Sequence, residues 1–200
     1  MPITLKTVDF QRAVDKLKTE LDKFRGGKYV TVGIHESAEA PENADLTMAQ
    51  LGAIHEFGAD IDHPGGTSYG YASEAAAERG DVRFLKKGTG FMELGVTGPH
   101  KVTIPARPWL VPGVASGTQE YLAEIAAAVS AGKDLDTTLE IVGVVAAGTV
   151  QQFMTDLKSP PNAASTIRKK GSDNPLIDSG AMRGSVTYEV AEGAPVEGIQ

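Results

Sequence analysis

The stretch Val102-Thr-Ile-Pro-Ala-Arg-Pro-Trp-Leu110 restricts this chain more than any other. Val102, Thr103 and Ile104 alternate apolar and polar, as a strand with one buried face does. Pro105 has no amide hydrogen to give to a ladder and ends it, while Pro108 presets the dihedral angle wanted in the first turn of a helix. A strand is therefore converted into a helix within a few residues, and Trp109, the only tryptophan, stands at the join. The segment before this corner is expected to be an arm, and the segment after it a packing helix.

Periodicity places the remaining elements. Phe10, Val14, Leu17, Leu21 and Phe24 recur at four- and three-residue steps and predict an amphipathic helix over residues 9–24, stopped by Gly26-Gly27. Val30, Val32 and Ile34 alternate through residues 28–35, which predicts a strand with its inner face on that helix. Residues 41–45 read as a turn, and residues 47–57 as a second helix with Met48, Leu51, Ala53, Ile54 and Phe57 as its stripe and Gly58 as its stop. Beyond the corner, Val114, Tyr121, Leu122, Ile125, Ala128 and Val129 carry one helical period to Gly132.

The longest helix starts at Asp134 or Asp136, with Leu135, Leu139, Val142, Ala146, Val150 (or Thr149), Phe153 and Leu157 on one face. Ile141, Val144 and Val145 widen that face, so it is expected to be covered on more than one side. Pro160-Pro161 ends it. Residues 163–173 read as a polar loop holding Arg168, Lys169 and Lys170, and residues 175–185 as a turn with one helical turn. Residues 185–190 read as a closing strand with Val186, Tyr188 and Val190 on one face, and residues 191–200 as a loose tail. The fold class is α+β: one domain over residues 1–190, with a small, mainly antiparallel sheet made from the strands at 28–35, near Val102 and at 185–190. Helices beginning near Asp9, Pro108 and Asp134 pack it.

Residues 59–100 have another character. Glycines interrupt them repeatedly, and short strand candidates at residues 82–85 and 91–96 and one helical turn at 73–79 stand between. The segment is too long for an ordinary connection and poor in core-forming side chains, which suits a projecting glycine-rich arm or hairpin ordered by a partner. Tyr69, Tyr71, Phe84, Phe91 and Met92 are its large apolar side chains and its candidate intersubunit or partner contacts.

Little in the chain points to catalysis. There is no cysteine, which excludes disulfides and thiolate metal sites. His35, His55, His63 and His100 have acidic neighbours but not the spacing of a zinc signature, and His55-Glu56 lacks a second histidine one turn on. Ser179 lacks a nucleophile elbow, and Asp178 or Ser179 reads as a turn cap with Arg183 as a charge partner of Asp178. Gly65-Gly66-Thr67 and Gly88-Thr89-Gly90 read as turns and lack the lysine of a phosphate loop. No cofactor, metal or enzymatic activity is expected. The rival class is a metal-dependent hydrolase using His55, Glu56 and His63; a third reading is a monomeric adaptor binding one partner through the arm.

Asp and Glu number 26 against 19 Lys and Arg, a net charge of −7, which argues against gripping nucleic acid through its phosphates. No signal sequence and no apolar run of bilayer length is present, so a soluble, cytoplasmically assembled chain without membrane contact is expected.

Three motifs in succession carry a family likeness. They are Val32-Gly-Ile-His35 leading to Ala49-Gln-Leu-Gly-Ala-Ile-His-Glu-Phe-Gly58; Val96-Thr-Gly-Pro-His100 with Ile104-Pro-Ala-Arg-Pro-Trp-Leu110; and Pro175-Leu-Ile-Asp-Ser-Gly-Ala-Met-Arg-Gly-Ser185 before a closing strand. Together they resemble the tail-completion or head-to-tail joining proteins of tailed bacteriophages, a group that includes minor tail and virion-morphogenesis proteins. The resemblance covers roughly residues 28–190. It implies a fold similar to tail-terminator proteins and a homo-oligomeric ring, commonly a hexamer, at the head–tail junction of the virion. It also implies a tail terminator or tail tube protein as partner on one side, a neck or head-completion protein on the other, and viral DNA passing through. Arg168, Lys169 and Lys170 are the candidate contacts to that DNA channel.

Overall fold

The computed structural model describes residues 27–35, 38 and 46–193, together with Thr19. The helix expected over residues 9–24, the turn at 41–45 and residues 194–200 lie outside the described residues. Those that are described form an α+β fold of short antiparallel sheets and helices, in two compact units: Met1–Phe57 with Arg107–Gln200, and Gly58–Ala106.

In the first unit, β1 (Lys28–Ile34) pairs antiparallel with β7 (Val186–Glu192), from Lys28 opposite Glu192 to Ile34 opposite Val186. Residues directly opposite share a face, so Val30, Val32 and Ile34 join Val190, Tyr188 and Val186 in one apolar layer. That layer meets α5 (Leu135–Asp156), where the Tyr188 ring lies on Gly143 so closely that a Cβ there would overlap it. Asp134 caps α5, its carboxylate accepting the Thr137 N–H at 2.8 Å. Val150 and Met154 are fully buried at its heart. Ala191 and Glu192, expected in a loose tail, instead continue the ladder opposite Tyr29 and Lys28.

Helix α1 (Met48–Phe57) starts with a reciprocal cap: Thr47 Oγ1 accepts the Gln50 N–H at 3.2 Å and Gln50 Oε1 accepts the Thr47 N–H at 2.9 Å. Its far end engages the proline corner. The Arg107 N–H donates to His55 O at 2.7 Å and the Trp109 indole N–H to Gly52 O at 3.0 Å, satisfying carbonyls near the helix end. In return Glu56, 5% exposed, caps α3 (Leu110–Ser116): its Oε2 accepts the N–H groups of Trp109 (2.6 Å) and Leu110 (2.8 Å), and its Oε1 that of Val111 (3.3 Å). An anion among the first free amides of a helix is favoured by hydrogen bonding and dipole alike. Trp109 is buried against Met48, Val150 and Met154 in the core cluster, a burial that contributes about 5 kcal/mol.

The helix after the corner differs from the expected one. It starts at Leu110 with Pro108 ahead of the cap, and it breaks at Gly117, where the Tyr121 ring packs on the bare α-carbon, into α3 and α4 (Thr118–Ser130). Pro112 falls within the first turn of α3, where its missing N–H removes no helical bond. After α5, the buried Asn174 ties the chain down: its amide donates to Thr155 O (2.8 Å) and Met154 O (3.3 Å), and its Oδ1 accepts the N–H groups of Leu176 and Ile177, both at 2.9 Å. The polar loop expected at 163–173 contains a helix, α6 (Ala164–Lys170), closed by Gly171 at φ 73°. A short α7 (Ala181–Gly184) puts Met182 into the core. Ser179 Oγ accepts the Ala181 N–H (3.3 Å), and the Arg183 guanidinium donates to Thr155 Oγ1 (3.2 Å), which is not the charge partnership with Asp178 read from the sequence.

The second unit holds the sheet that the sequence misassigns. The strand near Val102, β6 (His100–Ile104), pairs with β2 (Ala59–His63) and not with β1 or β7. Its ladder ends at Pro105, so the strand closes the second unit before the chain re-enters the first. Its partner was invisible because Ala-Asp-Ile-Asp-His holds one large apolar side chain, Ile61, set opposite Val102. Between these strands lies a three-stranded antiparallel sheet: β3 (Ser68–Tyr71) in the middle, β4 (Val82–Phe84) and β5 (Met92–Val96) at its edges. Ser73 caps the single-turn α2 (Glu74–Glu78).

Removing the Glu56 carboxylate leaves three amides without their acceptor inside the protein. Glu56→Ala is expected to cost about 3 kcal/mol and Glu56→Gln, which keeps one oxygen, about 1–2 kcal/mol. The midpoint of urea unfolding checks this; a midpoint unmoved by Glu56→Ala would show that the cap does not hold the corner.

Candidate interaction surface

The register of the three-stranded sheet assembles four of the five expected contact residues on one face. Tyr69 stands opposite Phe84 on β4 and opposite Gly95 on β5; Tyr71 stands opposite Val82 on β4 and Met92 on β5. Side chains directly opposite point the same way, so Tyr69, Tyr71, Val82, Phe84 and Met92 form a continuous apolar patch. Gly95 leaves room for the Tyr69 ring, since a Cβ there would come within 3.1 Å of its hydroxyl oxygen. The opposite face carries Arg83 and Glu93 on either side of Gly70, where a Cβ would collide with the Met92 carbonyl. The sheet is thus apolar on one face, while the other carries both charges together with Val96, opposite Ser68.

The apolar face is open. Phe84 is 69% exposed and Met92 48%, whereas the buried apolar side chains of this unit are Ala76 and Leu85. Phe91 does not join the face; it sits at the entrance to β5 with its N–H on Tyr71 O (2.9 Å), and is 53% exposed. A register shift between Tyr69 and Gly70 leaves Leu94 without a direct partner on β3. Val82 is missing from the contacts expected from the sequence, although its alternation with Phe84 carries the signal; Val96, opposite Ser68, stands on the other face. Exposed apolar surface of this extent on one small sheet is what protein contact sites present.

The other expected residues are dispersed. Arg168 and Lys169 are exposed on the last turn of α6, but the Lys170 ammonium turns inward to Asn174 O at 2.6 Å, and its burial pushes its pKa down. The rival set His55, Glu56 and His63 is not assembled as a metal centre. Both Glu56 oxygens are occupied by backbone amides. His63 belongs to the second unit, stacked on His100 with ring centroids 4.8 Å apart and its Nδ1 accepting the Gly65 N–H (2.9 Å). His35 lies within 2.9 Å of Thr187 Oγ1 and 3.1 Å of Thr31 Oγ1. Among the described residues no group of three or more His, Asp or Glu is placed to hold a metal ion, and no helix is long and apolar enough to cross a membrane.

Comparison with family models, with curated proteins and with solved structures finds no match to this chain.

His55 gives the body a pH dependence. Burial first, then the charges of Arg107 and Lys170, push its pKa below the ordinary 6.5, and its Nδ1 is buried without a hydrogen-bond partner. The unfolded chain therefore takes up this proton before the folded one does, and stability falls as pH drops below about 6.5 until the folded imidazole also protonates. Urea midpoints at pH 7.5 and 5.5 are expected to differ more in the wild type than in His55→Gln. Equal differences would contradict the assignment.

Proposed function

We propose that this protein is a structural component of a tailed-bacteriophage virion, assembled in the host cytoplasm into a homo-oligomeric ring, of hexamer type, at the head–tail junction. It joins the tail terminator or tail tube on one side to the neck or head-completion protein on the other, and DNA passes through it. The observation that carries this reading is the apolar face of the three-stranded sheet of the second unit, where Phe84 and Met92 are exposed in register with the half-buried Tyr69 and Tyr71. A ring requires each copy to offer its neighbour such a surface, and aromatic anchors at its centre supply most of the contact energy. The motif succession from Val32 to Ser185 supports the same reading by resemblance. The net charge of −7 suits a conduit that does not retain phosphate-bearing cargo, with Arg168 and Lys169 as its exposed basic contacts.

Phe84→Asp and Met92→Asp place carboxylates on that face without entering a core. Each is expected to weaken self-association by about 30-fold, or about 2 kcal/mol, with an unchanged circular dichroism spectrum. Light scattering and native mass spectrometry read the outcome. A ring surviving both substitutions would overturn the proposal. A wild-type chain that stays monomeric beside purified tail and neck components but binds one of them would instead support the adaptor reading.

A further inference from the structure

A feature independent of the sheet face and of the function proposed above lies in the first unit, at the guanidinium of Arg107. The residue is 6% exposed, and among the described residues no carboxylate comes within ion-pair distance of it. Its partners are neutral: Nε donates to Pro160 O (2.9 Å), and Nη2 donates to Pro161 O and Asn162 Oδ1, both at 3.3 Å. The two hydrogens of Nη1 are left without an acceptor. Nη1 still touches solvent, since the sealed side-chain atoms without a partner among the described residues are His55 Nδ1 and Tyr121 Oη. Carbonyl groups satisfy donors but leave the charge uncompensated, and burial pushes this guanidinium's pKa below its ordinary value.

Two further basic groups stand beside it. Asn162, which receives Arg107 Nη2, gives its own amide to Asn174 O (3.2 Å), and the Lys170 ammonium is held on the same oxygen at 2.6 Å. That bond uses one of the three ammonium hydrogens. Burial most of all, and the charge of Arg107 with it, press the Lys170 pKa down against the opposing pull of Asp178. After burial, the same two charges act on the His55 ring, whose Nδ1 has no partner. The acids of this region do not compensate them. Glu56 gives its carboxylate to the amides of Trp109, Leu110 and Val111, Asp173 lies 3.7 Å from Lys158, and Asp178 is exposed without an ion pair. Residues 158–185 hold five Lys and Arg against two Asp, a basic end on a chain whose net charge is −7.

Like charges gathered in a partly buried place and left unpaired are costly, and an anion seated among them removes that cost. Guanidinium and ammonium donors together suit oxygen anions, and two permanent cations match a double charge. We infer that Arg107 Nη1 and Lys170 Nζ, with His55 beside them, form a binding site for a small doubly charged oxyanion, phosphate or sulfate. The slight exposure of Arg107 selects a small ion over a nucleic-acid backbone, which the exposed Arg168 and Lys169 remain free to meet.

The full-length protein is titrated with sodium phosphate at neutral pH and constant ionic strength, followed by calorimetry and by the backbone amide resonances. One ion per chain is expected, with a dissociation constant on the order of 0.1 mM, and the largest shifts at the amides of Arg107, Asn162 and Asn174. Lys170→Met removes one charge-assisted hydrogen bond and is expected to weaken binding at least about tenfold. Arg168→Met with Lys169→Met removes two exposed charges from the same helical turn and is expected to change it by less than about twofold. Sulfate is expected to displace phosphate, and a short DNA duplex is not. No saturation by about 10 mM phosphate, shifts centred on Arg168 and Lys169, or equal weakening by the two variants would overturn the inference. Should Lys170→Met fail to fold, the wild-type shifts decide alone. Displacement of phosphate by the duplex would give the site to nucleic acid and overturn the assignment to a small ion.

Discussion

The buried carboxylate of Glu56 is the point on which the first unit depends. It sits one residue from the end of α1 and supplies the acceptors that the first amides of α3 lack, while Arg107 and Trp109 satisfy carbonyls of α1 in exchange. Each helix end is left with unsatisfied groups that would be costly to bury, and here each end satisfies the other. The same clamp fixes the two places where the chain leaves the first unit and returns to it, since Phe57 and Arg107 bound the Gly58–Ala106 unit. With both ends held, the length of the intervening chain matters little, because doubling a loop costs only about 0.6 kcal/mol. A long, glycine-studded unit is thus tolerated without loss of the packing around Trp109. Arg107 extends the clamp through its guanidinium to Pro160 O (2.9 Å) and Asn162 Oδ1 (3.3 Å), tying the corner to the chain beyond α5.

Local order was legible in the sequence wherever one periodicity ran undisturbed. The α5 stripe, the alternation in β1 and β7, the Thr47 start of α1 and the helical turn after Ser73 all follow from spacing and capping chemistry. Contacts between residues distant in sequence were not legible. Glu56 read as one half of an incomplete metal motif, because its three partners lie more than fifty residues away. Asn174 drew no attention, since nothing near it in sequence reveals that it joins Met154 and Thr155 to Leu176 and Ile177. β6 was given to the wrong sheet because β2 is too polar to announce itself, and the break at Gly117 is set by where Tyr121 packs.

The contact face shows the same division. Aromatic and methionine side chains in a polar segment were visible as a list, and pairing converts that list into a surface by placing Tyr69, Tyr71, Phe84 and Met92 in register. Alternation separates Phe91 from them. A three-stranded sheet with few buried side chains beneath it has little stability of its own to lose when it meets a partner. The basic triplet divides for a related reason: Lys170 is drawn onto Asn174 O by the geometry of the helix end, and only Arg168 and Lys169 face solvent.

Native-state hydrogen exchange at the backbone amides of Trp109, Leu110 and Val111 tests the central claim most directly. If the Glu56 clamp holds the first unit together, the amides of Trp109 and Leu110 exchange only through global unfolding, with protection equal to that of Val150 in α5. Exchange at these two amides as fast as at the exposed turn around Gly88, with Val150 still protected, would contradict it.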